Sequence, residues 1–362
     1  MGTSDKAVTH AANDGAIDIA MDRALRLAAH GPAHGPNPRV GCVLLAPSGQ
    51  QIGEGWHRGA GTPHAEIAAL ADARTRGHDP RGGTAVVTLE PCNHTGRTGP
   101  CASALLDAGI TRVVHALPDP GAASGGGADH LRAHGVSVTP GPRRDDALEL
   151  VRHWHHALTR QRPWVTLKLA TTLDGRVAAP DGSSQWITGP EARAHAHQIR
   201  AQADAIAITT GTALADDPAL TARTPDGTLT GHQPLRVVVG RRDLPPGARL
   251  HGPGGELLHL RTHDLRTLLD ALHQREIRHL IAEGSPALAT ALLAADAVDE
   301  LHAYLAPVIL GHGTPAVAPF GITALTDAPR WHTTTVTRLG DDALLVARRH
   351  PPHIPHTPTQ EP

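Results

Sequence analysis

His64-Ala65-Glu66, followed by Glu90-Pro91-Cys92-Asn93-His94-Thr95-Gly96-Arg97-Thr98-Gly99-Pro100-Cys101, says more than any other part of this 362-residue chain. One imidazole and two thiols make a donor set for zinc, and three protein ligands leave a fourth position open for chemistry. Glu66, two residues from His64, is placed to carry protons. His94 is a possible fourth donor, but it follows Cys92 so closely that closing a tetrahedron would be awkward. Reading outward, the pattern predicts strands at Val40–Leu45, near Gln51–Trp56 and at Thr84–Leu89. Helices are expected from about Ala65 to Arg74 and from Cys101 to Ala108. His64 and Glu66 then open one helix, and the cysteines flank the start of another, where free N–H groups favour thiolates.

The spacing H-x-E then P-C-x8-C is a longer-looped form of the layout found in zinc nucleobase deaminases. The chain has only three cysteines, no apolar leader and no apolar run near the length of a membrane span, so a reduced, cytoplasmic setting without membrane partners is expected. Cys42 lies in the apolar run Val40–Leu45 and reads as core packing. Net charge is −2 and the sequence pI about 7.0. Five Trp, one Tyr and one Phe are few for stacking bases. Both features count against a zinc-stabilised nucleic-acid-binding protein.

Lysine use is uneven. Of 33 basic residues only Lys6 and Lys168 are lysines, and Lys168 sits in the strand pattern Trp164-Val165-Thr166-Leu167-Lys168-Leu169-Ala170. Its compact charge suits a tight site that Arg cannot fill. The alternative is a strand-edge lysine reaching water.

At this length two domains are expected. A helix over residues 15–29, capped by Asn13-Asp14, opens the first, which spans 14–142. A connecting helix (Asp145–Thr159) lies within 143–162, and a second α/β domain spans 163–349. The tail 350–362 carries five prolines and no apolar pattern, as disordered segments do. In the second half, Gly311-His312-Gly313-Thr314-Pro315-Ala316 matches a dinucleotide fingerprint on paper, but its prolines deny the helix it needs. Glu283-Gly284-Ser285-Pro286, after a strand and before a helix, has a geometry suited to phosphate.

Nearly the whole chain resembles the bifunctional deaminase/reductase family of riboflavin biosynthesis. The matching motifs are Asn37-Pro38-Arg39-Val40-Gly41, Pro63 to Glu66 and Thr88 to Thr98. In the second half they are Thr166-Leu167-Lys168, Leu173-Asp174-Gly175-Arg176, Gln185-Trp186-Ile187-Thr188 and Ala215 to Thr221. The resemblance implies an α/β fold: a cytidine-deaminase-like three-layer α/β/α domain, then a dihydrofolate-reductase-like α/β domain. It implies that His64, Cys92 and Cys101 bind zinc, that Glu66 shuttles protons, and that Asn37, His57, His94 and Arg97 hold a pyrimidine ribotide. In the reductase half it implies substrate contacts at Ser184, Arg200, Leu220, Arg223 and Glu283. NADPH contacts are implied at Ala170, Trp186, Thr212, Asp216 and from Ser285, with Lys168 and Asp216 as proton-donor candidates. It also suggests a homo-oligomer. The chain departs from the family pattern in having Gly240-Arg241 where Asp-Ser is usual, though Arg241-Arg242 can meet a 2′-phosphate. Asn93 replaces a Ser, and Asp119-Pro120-Gly121-Ala122 replaces Asp-Pro-Asn-Pro. A second reading is a paralogue that deaminates another pyrimidine and has a silent reductase half.

Overall fold

The computed structural model describes residues 4–94 and 99–349, with side chains from residue 15 onward. The chain divides after Arg162 into two compact units.

The first unit runs α1 (Ser4–Ala28), β1 (Gly41–Leu45), β2 (Gln51–Trp56), α2 (Ala65–Thr75), β3 (Thr84–Leu89), α3 (Cys101–Asp107), β4 (Arg112–Leu117), α4 (Gly127–Ala133), β5 (Ser137–Pro140), α5 (Arg144–Leu150) and α6 (Arg152–Arg160). Its sheet order is β2-β1-β3-β4-β5. β1 is antiparallel to β2 and β3, while β3, β4 and β5 run parallel. Two glycines show how tightly the layers close. A Cβ on Gly41 would meet the Ala24 carbonyl oxygen of α1 at 1.9 Å, and one on Gly55 would meet the Ala69 nitrogen of α2 at 2.5 Å. Gly41 and Gly55 lie one register step apart across β1 and β2, so they face opposite sides of the sheet. Helices therefore cover both faces, giving three layers.

Two expectations change here. The first helix begins at Ser4 and runs through Asn13-Asp14, because the Ala-rich segment before them continues the helix instead of capping it. The connecting helix is two helices, broken at Val151, where φ is −111°. Ala147, Val151 and Trp154 are buried in the first unit's core, so this segment is part of that unit.

The second unit runs β6 (Trp164–Thr172), β7 (Arg176–Ala178), α7 (Pro190–Arg200), β8 (Ala205–Thr209), α8 (Thr210–Asp216), β9 (Leu235–Val239), β10 (Leu257–Leu260), α9 (Leu265–Gln274), β11 (His279–Ala282), α10 (Pro286–Ala294), β12 (Glu300–Ala306), β13 (Thr314–Pro315), β14 (Trp331–Leu339) and β15 (Asp342–Arg349). The main sheet has the order β10-β9-β8-β11-β6-β12-β15-β14. Its first six strands are parallel, and β15 and β14 add an antiparallel hairpin. The parallel strands are near-continuous apolar runs, as strands covered on both faces must be. They were legible in sequence for that reason. The hairpin was not, because β14 is Thr-rich and almost wholly exposed, with no alternating pattern. Among the described residues no helix is long and apolar enough to cross a membrane. The tail 350–362 lies outside the described residues.

Candidate active sites

In the first unit the sheet brings the ligand motif together at the end of β3. His64 is the N-cap of α2, with extended backbone (φ −67°, ψ 163°) that turns its ring away from the helix. Cys92 follows β3 by three residues, and Cys101 is the first residue of α3. His64 Nδ1 lies 3.5 Å from Cys92 Sγ and 3.3 Å from Cys101 Sγ. The three donor atoms are all within 4.8 Å of one another, and two thiols with one imidazole are a zinc donor set. The residues present therefore fit the metal. The thiols titrate as a pair. Their mutual hydrogen bond draws Cys92 well below the ordinary thiol range, and the same bond with burial pushes Cys101 up.

Glu66 is 3% exposed beside this cluster. Burial, reinforced by Cys92, pushes its carboxyl up to about 7. His57 is buried with its ring 5.2 Å from that of His64. Its Nδ1 lies 3.1 Å from the Pro63 carbonyl, which can only accept, so Nδ1 donates. In the neutral ring Nε2 then accepts from Asn37 Nδ2 at 3.0 Å. Burial lowers the His57 pKa, which keeps the ring neutral and the tautomer fixed. Asn37 is thus tied to His57, whose ring lies beside that of His64. His94 is half-buried, and its Nδ1 has no hydrogen-bond partner among the described residues. It does not join the donor cluster. Arg97 lies outside the described residues.

Sequence reading missed the support beneath the cysteine loop. Buried Glu90 accepts from Asp119 N at 3.2 Å and Ala128 N at 2.9 Å, and Ala102 N donates to the Cys92 carbonyl at 3.2 Å. Nothing in the residue spacing marks such a brace.

In the second unit a cleft of about 1430 Å³ opens along the C-terminal ends of the parallel strands. Ligands of open α/β sheets bind at such ends. Lys168, Ala170, Ser184, Trp186, Arg200, Thr212, Asp216, Leu220, Arg223, Glu283 and Ser285 all line it. Register sets its centre: Ala282 pairs with Leu167, so Glu283 stands level with Lys168. Glu283 Oε2 lies 3.4 Å from Lys168 Nζ, and Oε1 lies 2.5 Å from Arg200 Nη2. Burial works to raise the Glu283 carboxyl, but Arg200 and Lys168 outweigh it and hold it below its usual range. Lys168 also sits 5.6 Å from the Tyr304 ring centroid, and Tyr304 hydroxyl bonds His195 Nδ1 at 2.7 Å. Tyr304 was not foreseen, because a lone Tyr in a strand gives no sequence signal.

Arg200 Nη1 donates to the Thr221 carbonyl at 3.3 Å, and Arg223 Nε to Thr221 Oγ1 at 2.9 Å. Leu220, with φ +52°, helps turn this segment into the wall. Asp216 ends α8, exposed on the cleft, yet the surrounding protein buries it enough to raise its carboxyl. Trp186 is exposed, with the Arg193 guanidinium 4.6 Å from its centroid.

Thr212, Gly284 and Ser285 line the same cleft with closely packed backbone. Gly284 has φ +78°, and a Cβ there would stand 2.8 Å from Thr212 Cγ2. Thr212 Oγ1 donates to the Gly284 carbonyl at 2.8 Å, and Ser285 caps α10. The paper match at Gly311 falls between β12 and β13 with no helix after it, and Gly311 N donates to Asp174 at 2.7 Å.

Two family models match the chain: the cytidine and deoxycytidylate deaminase zinc-binding region over residues 16–117, and the RibD C-terminal domain over 163–345. The riboflavin biosynthesis protein RibD of Mycobacterium tuberculosis is 46% identical over 311 residues, covering 86% of this chain and 90% of that protein. The chain belongs to the RibD family. RibD of Escherichia coli is 38% identical over 346 residues, covering 86% of this chain and 93% of that one. A Thermotoga maritima structure described as a diaminohydroxyphosphoribosylaminopyrimidine deaminase/5-amino-6-(5-phosphoribosylamino)uracil reductase superimposes with a TM-score of 0.83. It is 30% identical and covers 93% of this chain and 99% of its own. Acinetobacter baumannii RibD matches with the same TM-score at 34% identity, covering 93% of this chain and 99% of its own. As a RibD-family member this chain is a two-activity enzyme of riboflavin biosynthesis, a zinc-dependent deaminase followed by an NADPH-dependent reductase.

Proposed function

We propose that the first unit hydrolytically deaminates 2,5-diamino-6-(5-phosphoribosylamino)pyrimidin-4-one. The second unit then reduces the ribose of 5-amino-6-(5-phosphoribosylamino)uracil to a ribityl chain with NADPH. The observation that carries this reading is one chain holding both a three-donor cluster beside a buried carboxylate and a separate cationic cleft.

His64, Cys92 and Cys101 would hold the zinc, which supplies Lewis-acid activation of water when bound. Glu66 takes a proton from the attacking water and delivers one to the departing amine. Its burial supports this role, since a carboxyl near neutrality can both accept and give. Asn37, His57, His94 and Arg97 are assigned to substrate. The fixed tautomer of His57 holds Asn37 in a defined pose.

In the cleft, the lining lysine and arginines, Lys168, Arg200 and Arg223 among them, outnumber the carboxylates of Glu283 and Asp216. That surplus suits a phosphorylated substrate. Ser184 and Leu220 complete the assigned substrate contacts. Ala170, Trp186, Thr212, Asp216 and Ser285 are assigned to the cofactor. Hydride addition to the opened sugar leaves an oxygen or nitrogen needing a proton, and Lys168 and Asp216 are the candidate donors. Comparing Lys168→Met with Asp216→Asn in single-turnover reduction decides between them. We place the protein in the cytoplasm as a homo-oligomer that binds no nucleic acid. Three unpaired cysteines and the near-neutral charge support the location and the last point.

The test is the purified, zinc-loaded protein with the diamino ribotide. Ammonia should appear without NADPH, and NADPH oxidation should follow only once deaminated ribotide is present. Absence of ammonia overturns the first assignment. Ammonia without any NADPH oxidation would revive the paralogue reading, which the intact cleft and the reductase-domain match do not favour.

A further inference from the structure

The chain's one tyrosine, Tyr304, is 1% exposed and yet lines the reductase cleft. Register decides what it meets. β12 runs parallel to β6, with Tyr304 opposite Ala170 and His302 opposite Lys168. Residues two apart on a strand share a face, so Tyr304 and Lys168 project to the same side of the sheet. α7 covers that side, where Ala192 and Ala196 pack with Tyr304 and Leu344 in a small apolar cluster.

The Lys168 ammonium therefore has two neighbours. Glu283 Oε2 lies 3.4 Å away, and the Tyr304 ring centroid 5.6 Å away. An ammonium has three N–H groups. The carboxylate takes one and the ring face attracts a second, which leaves the third for the cleft. The ring is itself anchored, because the Tyr304 hydroxyl bonds His195 Nδ1 at 2.7 Å. His195 lies on α7 five residues before Arg200, which holds the other Glu283 oxygen. The helix is thus fastened at two points around the lysine. Burial, reinforced by Glu283, pushes the Tyr304 phenol up, while burial and His302 lower His195. Both partners are neutral, so neither competes with Lys168 for Glu283.

We propose that Tyr304, anchored by His195, is a positioning residue of the reductase: its ring seats the Lys168 ammonium beside Glu283 so that one N–H is aimed into the cleft. The proposal rests on the reading that Lys168 acts in the reduction. A lysine stem is long and flexible, and a carboxylate on one side leaves it free to swing. A misplacement of about 1 Å can cost on the order of 10²-fold in rate. A tyrosine that only filled space under α7 would leave the lysine geometry alone.

The test reads Lys168 directly. Lys6 and Lys168 are the only lysines, so carbon-13 labelling of lysine Cε in the full chain gives two sets of NMR signals, and Lys6→Arg assigns them. A fixed lysine shows two distinct Hε shifts and an averaging one shows a single shift. Lys168 should show two in wild type, one in Tyr304→Leu, and two again in Tyr304→Phe, which keeps the ring. Reduction of the deaminated ribotide should fall by more than about tenfold in kcat in Tyr304→Leu, with KM little changed. Tyr304→Phe and His195→Leu each remove the anchoring bond and should cost about three- to tenfold, with the double variant no worse than either. In a Lys168→Met background Tyr304→Leu should add no further loss, because it acts through the lysine. Circular dichroism checks folding, and if Tyr304→Leu does not fold, Tyr304→Phe carries the same comparison. Unchanged Lys168 signals, or a Tyr304 variant that costs Lys168→Met as much as it costs wild type, would overturn the proposal and leave Lys168's own role standing. If Lys168→Met alone reduces at the wild-type rate, the reading of Lys168 fails and the positioning role falls with it.

Discussion

The two sites are built on opposite principles. The deaminase centre is small and buried: three donor atoms within 4.8 Å and a carboxylate 3% exposed. Its groups come from a helix cap, a strand end and a helix start that one sheet presses together. The reductase cleft is wide, about 1430 Å³, and its groups come from six or more segments spread across strand ends. The first site concentrates its polar groups in four residues, three of them a donor set that suits a metal. The second distributes it, with charge balance set by an ion network. A single change should therefore abolish the first activity and only degrade the second.

Four experiments press on that contrast. Cys92→Ser should have the largest effect. Wild type should hold about one zinc per chain, and the variant should lose it along with deamination, since two of three protein donors make a poor site. Reduction of the deaminated ribotide should be unaffected. Metal analysis by mass spectrometry is the check, and full zinc retention in the variant would remove Cys92 from the ligand set.

Glu66→Gln comes next. It keeps the shape but cannot carry a proton, so deamination should fall by roughly 10²–10⁴-fold with zinc content intact. Steady-state ammonia release alongside metal analysis reads this, and a near-normal rate would mean another group moves the proton.

Lys168→Arg keeps the charge but changes its geometry beside Glu283. NADPH oxidation should fall by more than about tenfold, or ~1.4 kcal/mol of barrier, with ammonia release unchanged. If the arginine variant reduces at the wild-type rate, Lys168 only balances charge.

The smallest effect is on stability. Burial works to raise the Glu283 carboxyl, but Arg200 and Lys168 hold it below the ordinary carboxylate range in the folded chain. The unfolded chain thus binds more protons in that region, and stability rises with pH there. The contribution is complete above about pH 4.5 and is lost as pH falls through the folded value. Glu283→Gln should flatten the acid side of the melting-temperature profile of this unit. An unchanged slope would show that Arg200 and Lys168 do not hold the carboxylate ionised.

The contrast also explains what could be read in advance. The donor cluster was legible because its residues fall in two short motifs with metal-ligand spacing. The parallel strands were legible because both faces are covered and their sequences are apolar. The hairpin of β14 and β15 was not, since Thr333-Thr334-Thr335 gives no alternation. Nor was Tyr304, whose place beside Lys168 comes from pairing β12 to β6. The 13–14 cap was a local rule overridden by the helix-forming residues ahead of it.

The sequence alone determined the donor set, the lone strand lysine and the order of elements, because each is a matter of residue type and local spacing. Only the tertiary structure decided which groups meet. Register across β11 and β6 set Glu283 beside Lys168, although they lie far apart in sequence, and α7 delivered Arg200 to the same carboxylate. The neutral tautomer of His57 likewise depends on Pro63 and Asn37 arriving on either side of its ring. Such contacts follow from how strands pair and helices pack, and no window of sequence contains that information.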